Sequence, residues 1–137
     1  MKISTEIINK YIDLAHQRLD KTYSPYSNFP VSAVLLLRDG KYYTGVNIEN
    51  VSFGATNCAE RTAIFSAIND GYRKEDFCAL FVIANTENAI APCCICRQVF
   101  VEFFEPTMLV YLANREKVIK SCTVGDLVPY AFESLSM

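Results

Sequence analysis

Apolar residues recur at helical spacing near the amino terminus, at Ile7, Ile8, Tyr11, Ile12, Ala15 and Leu19, with Lys10, Asp13 and Arg18 on the opposite side. Ser4 stands where an N-cap belongs, so the pattern predicts a packing helix. The lone His16 lies near its end with no ligand set around it in sequence and reads as structural or solvent-facing. Tyr23 to Pro30 cannot continue the helix, because each of its two prolines forces extended or turn geometry on the residue before it. It reads as an ordered aromatic loop. Val31 to Leu37 and Tyr42 to Ile48 are β-prone apolar runs joined by Asp39-Gly40, a hairpin signal because glycine accepts the positive φ of a tight turn.

A second helix is predicted from Asn57 to Gly71, a strand over Asp76 to Ala84, and a third helix from Cys93 to Phe104, stopped before Pro106. Met108 to Ala113 and Lys117 to Cys122 form a second predicted hairpin, and Thr123-Val124-Gly125-Asp126 opens a short last helix with a capping box. The order is α-β-β-α-β-α-β-β-α. Strand-helix-strand crossovers through the second and third helices imply a parallel central portion flanked by hairpins, with helices on both faces. The class is α/β.

Composition narrows this picture. At 137 residues, the chain has the length of one domain, taken as 1–137. A net charge of -2 and a pI near 5.4 argue against a nucleic-acid partner, which calls for a basic face. The first residues turn polar before a signal-peptide core could form, and the apolar runs fall short of the roughly 20 residues that span a bilayer. The expectation is a cytoplasmic protein with no membrane partner. The six cysteines, Cys58, Cys78, Cys93, Cys94, Cys96 and Cys122, therefore suit metal ligation better than disulfides, with Cys78 and Cys122 read as small buried hydrophobes. An apolar content of 51% hints at a buried subunit interface.

The chemistry gathers in two stretches, Asn47 to Arg61 and Pro92 to Gln98. Cys58 and the Cys93-x-x-Cys96 pair can hold a tetrahedral zinc by three sulfurs and leave its fourth position open, as hydrolytic sites require. Both groups fall at predicted helix starts, where the dipole favours the thiolate that binds metal. A structural zinc would need a fourth protein ligand, for which Cys94 is the nearby candidate, on a diverging face. Glu60 is either the third residue of an Asn57 capping box or, beside a Cys58 ligand, a carboxylate within reach of water at the metal. Three thiolates outweigh the charge of zinc, so Arg61, otherwise a solvated helix charge, can offset the excess. Asn47 and Glu49 point to one side of their strand and can either hydrogen-bond sugar hydroxyls or form a turn. Phe29 is either core or a base-stacking platform.

The motifs P-Y-S-N-F-P, D-G-K, G-V-N-I-E-N, N-C-A-E-R-T-A and P-C-x-x-C-R-Q-V, in this order, resemble those of the small cytidine deaminases that act on free nucleosides, over nearly the whole chain. The carboxylate two residues after one ligand, followed by P-C-x-x-C, is the zinc-deaminase signature in its three-cysteine form. The resemblance implies a three-layer α/β/α domain around a five-stranded mixed sheet, assembled as a homotetramer with active sites near subunit boundaries. It implies one Zn2+ per subunit held by Cys58, Cys93 and Cys96, with Glu60 as the catalytic proton shuttle and Arg61 tempering the thiolates. It further implies ribose contacts from Asn47 and Glu49, base contacts from Phe29 and Ala59, and aromatic walls from Tyr26 and Phe132. The implied reaction is hydrolysis of cytidine or deoxycytidine to the uridine and ammonia.

Four positions depart from the family pattern: Ser32 and Cys94 where glycine is common, Phe53 where tyrosine is common, and Tyr130 where a small residue is common. Cys94 bears on helix entry and Phe53 on the rim of the site. Two rival readings stand beside the deaminase of free cytidine. One is a deaminase of nucleic acid or of another aminopyrimidine compound. The other is a non-catalytic, zinc-stabilised binding module.

Overall fold

The structure is a computed structural model that describes residues 3–135. Its elements are α1 (Thr5–Gln17), β1 (Val31–Leu37), β2 (Tyr42–Val46), α2 (Ala59–Asn69), β3 (Phe77–Ala84), α3 (Cys94–Phe103), β4 (Leu109–Ala113), β5 (Ile119–Thr123) and α4 (Val124–Leu127), with short 3-10 turns at Arg18–Lys21, Phe53–Ala55 and Lys74–Asp76. The Ser4 hydroxyl accepts from the Ile7 N–H at 3.2 Å, which caps α1 as its sequence predicts, and His16 is exposed. Thr123 and Asp126 form the expected capping box of α4.

The five strands make one mixed sheet in the order β2-β1-β3-β4-β5. Only β3 and β4 pair in parallel, joined by the α3 crossover, while β1 pairs antiparallel with both β2 and β3. The parallel portion is thus narrower than two successive crossovers imply, because β1 lies between the two strands that α2 connects. Burial explains the placement. β1 is buried along nearly its whole length and belongs in the sheet interior, whereas β2 exposes Tyr42 and half-exposes Tyr43 and Thr44, as an edge strand can.

Side chains alternate between two cores. Ala33, Leu35, Leu80, Val82 and Val110 pack under α2 and α3, against Ala63, Ile64, Phe100 and Phe104. Val34, Leu36, Phe81, Ile83 and Tyr111 pack on the other face against Tyr11, Ile12 and Ala15 of α1. The layers are α/β/α. Cys78 and Cys122 are half-buried in β3 and β5, and burial pushes both thiols up. Ser32 is fully buried, and its hydroxyl finds no hydrogen-bond partner among the described residues. Among the described residues, no helix is long and apolar enough to cross a membrane.

This topology decides where chemistry can gather. Since β2 and β3 both run antiparallel to β1, they point the same way, and their carboxyl ends share one edge of the sheet. α2 starts after the loop that leaves β2, and α3 after the loop that leaves β3. Both helix starts therefore meet at this edge, where β1 also begins and the aromatic loop enters. Crevices outside carboxyl strand ends are where open α/β sheets bind ligands.

Candidate functional site

The strand predicted to reach Ile48 ends at Val46, and the chain then turns into the site. Ile48 still forms isolated bridges, one with Tyr23 and one with Asn57. Asn57 is thereby held in an extended pairing, and its side-chain amide donates to Thr62 Oγ1 at 3.0 Å. It cannot cap the helix. Cys58 is the N-cap of α2 instead, with φ -72 and ψ 157. Glu60 is then the second helical residue, and the capping-box reading does not hold. α2 can approach β2 closely only because residue 45 is glycine: a Cβ there would lie 2.2 Å from the Ala59 carbonyl oxygen and 2.6 Å from the Ala63 nitrogen.

α3 opens in parallel fashion. Cys93 is its N-cap, with φ -67 and ψ 163, and its sulfur accepts from the Cys96 N–H at 3.5 Å. Cys94 occupies the first helical position without a positive φ, so helix entry is undisturbed by its side chain. The sulfurs of Cys58, Cys93 and Cys96 lie within 4.8 Å of one another, and those of Cys58 and Cys93 are 3.7 Å apart. A tetrahedral zinc with sulfurs at about 2.3 Å sets sulfur–sulfur edges of about 3.8 Å, so the group fits that ion. Exposed Cys94 is not part of the group.

Charge is arranged around the sulfurs. The Arg61 guanidinium donates from Nη2 to Cys58 Sγ at 3.2 Å. In the metal-free chain the Cys58 thiol falls to about 5, chiefly because Cys96 donates a hydrogen bond to it, with Arg61 adding to this against the effect of burial. Cys96, donor in that pair and itself buried, is pushed up. Burial alone would lower the Arg61 guanidinium, but its hydrogen bonds to Cys58 and Cys96 raise it. Glu60 is only 4% exposed. Burial pushes its carboxyl up to about 7, the neighbouring Cys58 thiolate adding to the shift.

Cys58, Glu60 and Cys93 line a cleft of about 320 Å³, together with Phe29, Asn47, Glu49 and Ala59. Asn47 and Glu49 do more there than face the opening. The Asn47 amide donates to the Phe29 carbonyl at 2.8 Å and its oxygen accepts from the Val31 N–H at 3.0 Å. One Glu49 oxygen accepts from the Tyr26 and Ser27 N–H groups at 2.9 and 3.1 Å, and the other accepts from the Ser27 hydroxyl. These bonds hold the carboxylate below its ordinary range, the Ser27 hydroxyl contributing most. The pair fastens the aromatic loop that presents Phe29, in which Asn28 adopts φ 54, a conformation asparagine tolerates.

Tyr26 does not line the cleft. Its ring packs edge-on against Phe53 at 6.5 Å, and both line an adjoining hollow of about 270 Å³ with Ser27, Glu49 and Thr56. Phe132 lies outside both, 64% exposed, its carbonyl accepting from Gln98 Nε2 at 3.0 Å. Tyr130, with φ 53, projects fully into solvent. Sequence reasoning passed over Ile90 and Ala91, which line the cleft, and over Gly45 and Thr62, which seat α2. A glycine two residues before Asn47 in a strand was the available signal.

A buried carboxyl beside three sulfurs spaced to fit zinc, at a cleft by the carboxyl ends of an α/β sheet, is the arrangement of a zinc-binding α/β/α hydrolase. Residues 5–113 match the family model for the cytidine and deoxycytidylate deaminase zinc-binding region, and the chain belongs to that family. It is 48% identical over 125 residues to a cytidine deaminase of Sporosarcina psychrophila, a match covering 91% of this chain and 90% of that one. A cytidine deaminase of Halalkalibacterium halodurans is 46% identical over 123 residues, covering 90% and 92%. The crystal structure of a cytidine deaminase from Burkholderia pseudomallei superposes with a TM-score of 0.88 at 45% identity, over 95% of this chain and all of that one.

Proposed function

We propose that this protein is a zinc-dependent hydrolase that deaminates cytidine and deoxycytidine, releasing ammonia, in cytoplasmic pyrimidine salvage. The observation that carries the reading is that Cys58, Cys93 and the buried Glu60 carboxyl line one cleft, with the sulfur of buried Cys96 within 4.8 Å of the other two. Zinc bound by the three sulfurs supplies Lewis-acid activation of a water nucleophile. Glu60 is the proton carrier. As a carboxylate it accepts a proton of the attacking water and delivers it to the ring nitrogen as the oxygen adds to C4; it then takes the remaining proton of the added hydroxyl and carries it to the amine, whose bond to C4 breaks to release ammonia. Arg61 offsets the excess thiolate charge. Phe29 packs on the base, Ala59 offers it backbone contacts, and Asn47 and Glu49 bind the ribose by the hydrogen-bonding capacity left after fastening the loop.

The chain acts as one domain, 1–137, in a homotetramer. Exposed Val51, Phe53, Ile95 and Phe132 suit subunit boundaries, where Tyr26 and Phe132 would wall a neighbouring site. Light scattering at micromolar protein checks this assembly, and a monomeric mass contradicts it. For the activity, ammonia should be released from cytidine, but not from oligonucleotides, and should cease after chelation and return with zinc. Chelator-insensitive turnover, or bound zinc without turnover of any cytosine nucleoside, contradicts the proposal.

A further inference from the structure

Arg97 follows Cys96 directly, yet its side-chain hydrogen bonds go to backbone on two other segments. Nε donates to the Pro92 carbonyl at 2.8 Å, and Nη1 donates to the Leu127 carbonyl at 3.0 Å, at the end of α4. Pro92 is buried and immediately precedes N-cap Cys93. A carbonyl before the N-cap receives no bond from the helix ladder, so it needs a partner from elsewhere. The guanidinium is that partner. The Pro92 oxygen and the Cys93 nitrogen belong to one rigid peptide plane, so holding the oxygen sets the direction from which the Cys93 side chain departs.

Of the three sulfur-bearing residues, Cys93 most needs such support. Cys96 is buried and Cys58 half-buried, whereas Cys93 is exposed at the rim. The bond to Leu127 gives the guanidinium a second fixed point, and a group held at one point only could not itself fix another. Arg61 acts differently, on sulfur and by charge.

We propose that Arg97 is a positioning residue of the metal centre, holding the Pro92–Cys93 peptide so that the Cys93 sulfur stays in ligand position. The inference rests on the reading that Cys58, Cys93 and Cys96 hold zinc. The test is the rate at which the full-length zinc-loaded protein surrenders its metal to an excess of a chromophoric chelator, well below the unfolding midpoint. Arg97→Met, which keeps the apolar stem and removes the donors, should release zinc about tenfold faster than the unsubstituted protein. Arg97→Lys, whose ammonium lacks the fork that spans both carbonyls, should release it about threefold faster. Val34→Ala, a cavity on the α1 face, lowers stability and should leave the release rate unchanged. In cobalt-loaded protein, the thiolate-to-cobalt absorption should weaken in Arg97→Met and not in Val34→Ala. Release from Arg97→Met at the unsubstituted rate, or equally fast release from Val34→Ala, overturns the inference and leaves the zinc reading intact. If Arg97→Met does not fold, Arg97→Lys decides, and an unchanged rate there overturns it. Unsubstituted protein that binds no zinc overturns the zinc reading itself, and this inference with it.

Discussion

Cys58 and Cys93 are both N-caps with nearly the same extended backbone, both follow loops that leave the carboxyl ends of like-directed strands, and each has an arginine within the next turn. What supports their sulfurs is different. At the start of α2, Arg61 bonds the Cys58 sulfur itself and Glu60 sits buried beside it, so the proposed handling of charge and protons falls to this end. At the start of α3, the Cys93 sulfur accepts from its own helix and Arg97 bonds backbone carbonyls among the described residues, so the proposed placing of the sulfur falls to this end. Two similar helix starts thus divide the labour of one site. Residue type alone does not reveal the division, since both stretches read as cysteine followed by arginine.

Substitutions can break or sharpen that contrast. On the α2 side, Glu60→Gln should retain zinc and lower turnover by about 10²- to 10⁴-fold, measured as ammonia release against metal content. Substantial remaining activity would remove Glu60 from proton transfer. On the α3 side, Cys93→Ser should lose the metal and Cys94→Ser should keep it, by elemental analysis after gel filtration; the reverse pattern would reassign the ligand. Glu60 also predicts a pH signature in metal-free protein. A carboxyl raised from 4.5 to about 7 on folding binds its proton more tightly in the folded chain, so stability falls as pH rises through that window. Glu60→Gln should therefore match the unsubstituted protein near pH 4 and exceed it by about 3 kcal/mol near pH 8 in denaturant unfolding. A pH-independent difference would argue against the shift.

Smaller effects test how α2 is seated. Gly45→Ala forces β2 and α2 apart and should cost about 2 kcal/mol. It should disturb Cys58 more than Cys93, which cobalt absorption can follow. Ser32→Ala removes a buried hydroxyl without a partner among the described residues and should be neutral or stabilising by about 1 kcal/mol. A clear loss of stability would show that the hydroxyl is satisfied after all.

Much of this architecture was legible beforehand. Periodicity placed every helix and strand to within a few residues, and Val31–Leu37 matched at both ends, because its continuous apolar run demands cover on both faces. The sheet order was not legible. Only the contrast between a buried β1 and a half-exposed β2 decides which hairpin strand lies next to β3. The ligand group could be read because three cysteines at two helix starts carry a strong spacing signal. The anchoring of the aromatic loop could not, since Asn47 and Glu49 bond backbone 16 to 23 residues away. Asn57 looked like the better cap, but its pairing with Ile48 withdraws it and leaves that position to Cys58. Phe132, expected as an aromatic wall of the site, is instead exposed outside the cleft, its backbone carbonyl bonded to Gln98.

The central claim is that the two helix starts form one zinc-dependent catalytic site. It is tested most directly by titrating zinc into metal-free protein while following ammonia release from cytidine. Activity should rise in proportion to zinc and level off at one ion per chain, and Cys58→Ser should show no rise. Full activity before any zinc is added, or an equal rise in Cys58→Ser, would contradict the account.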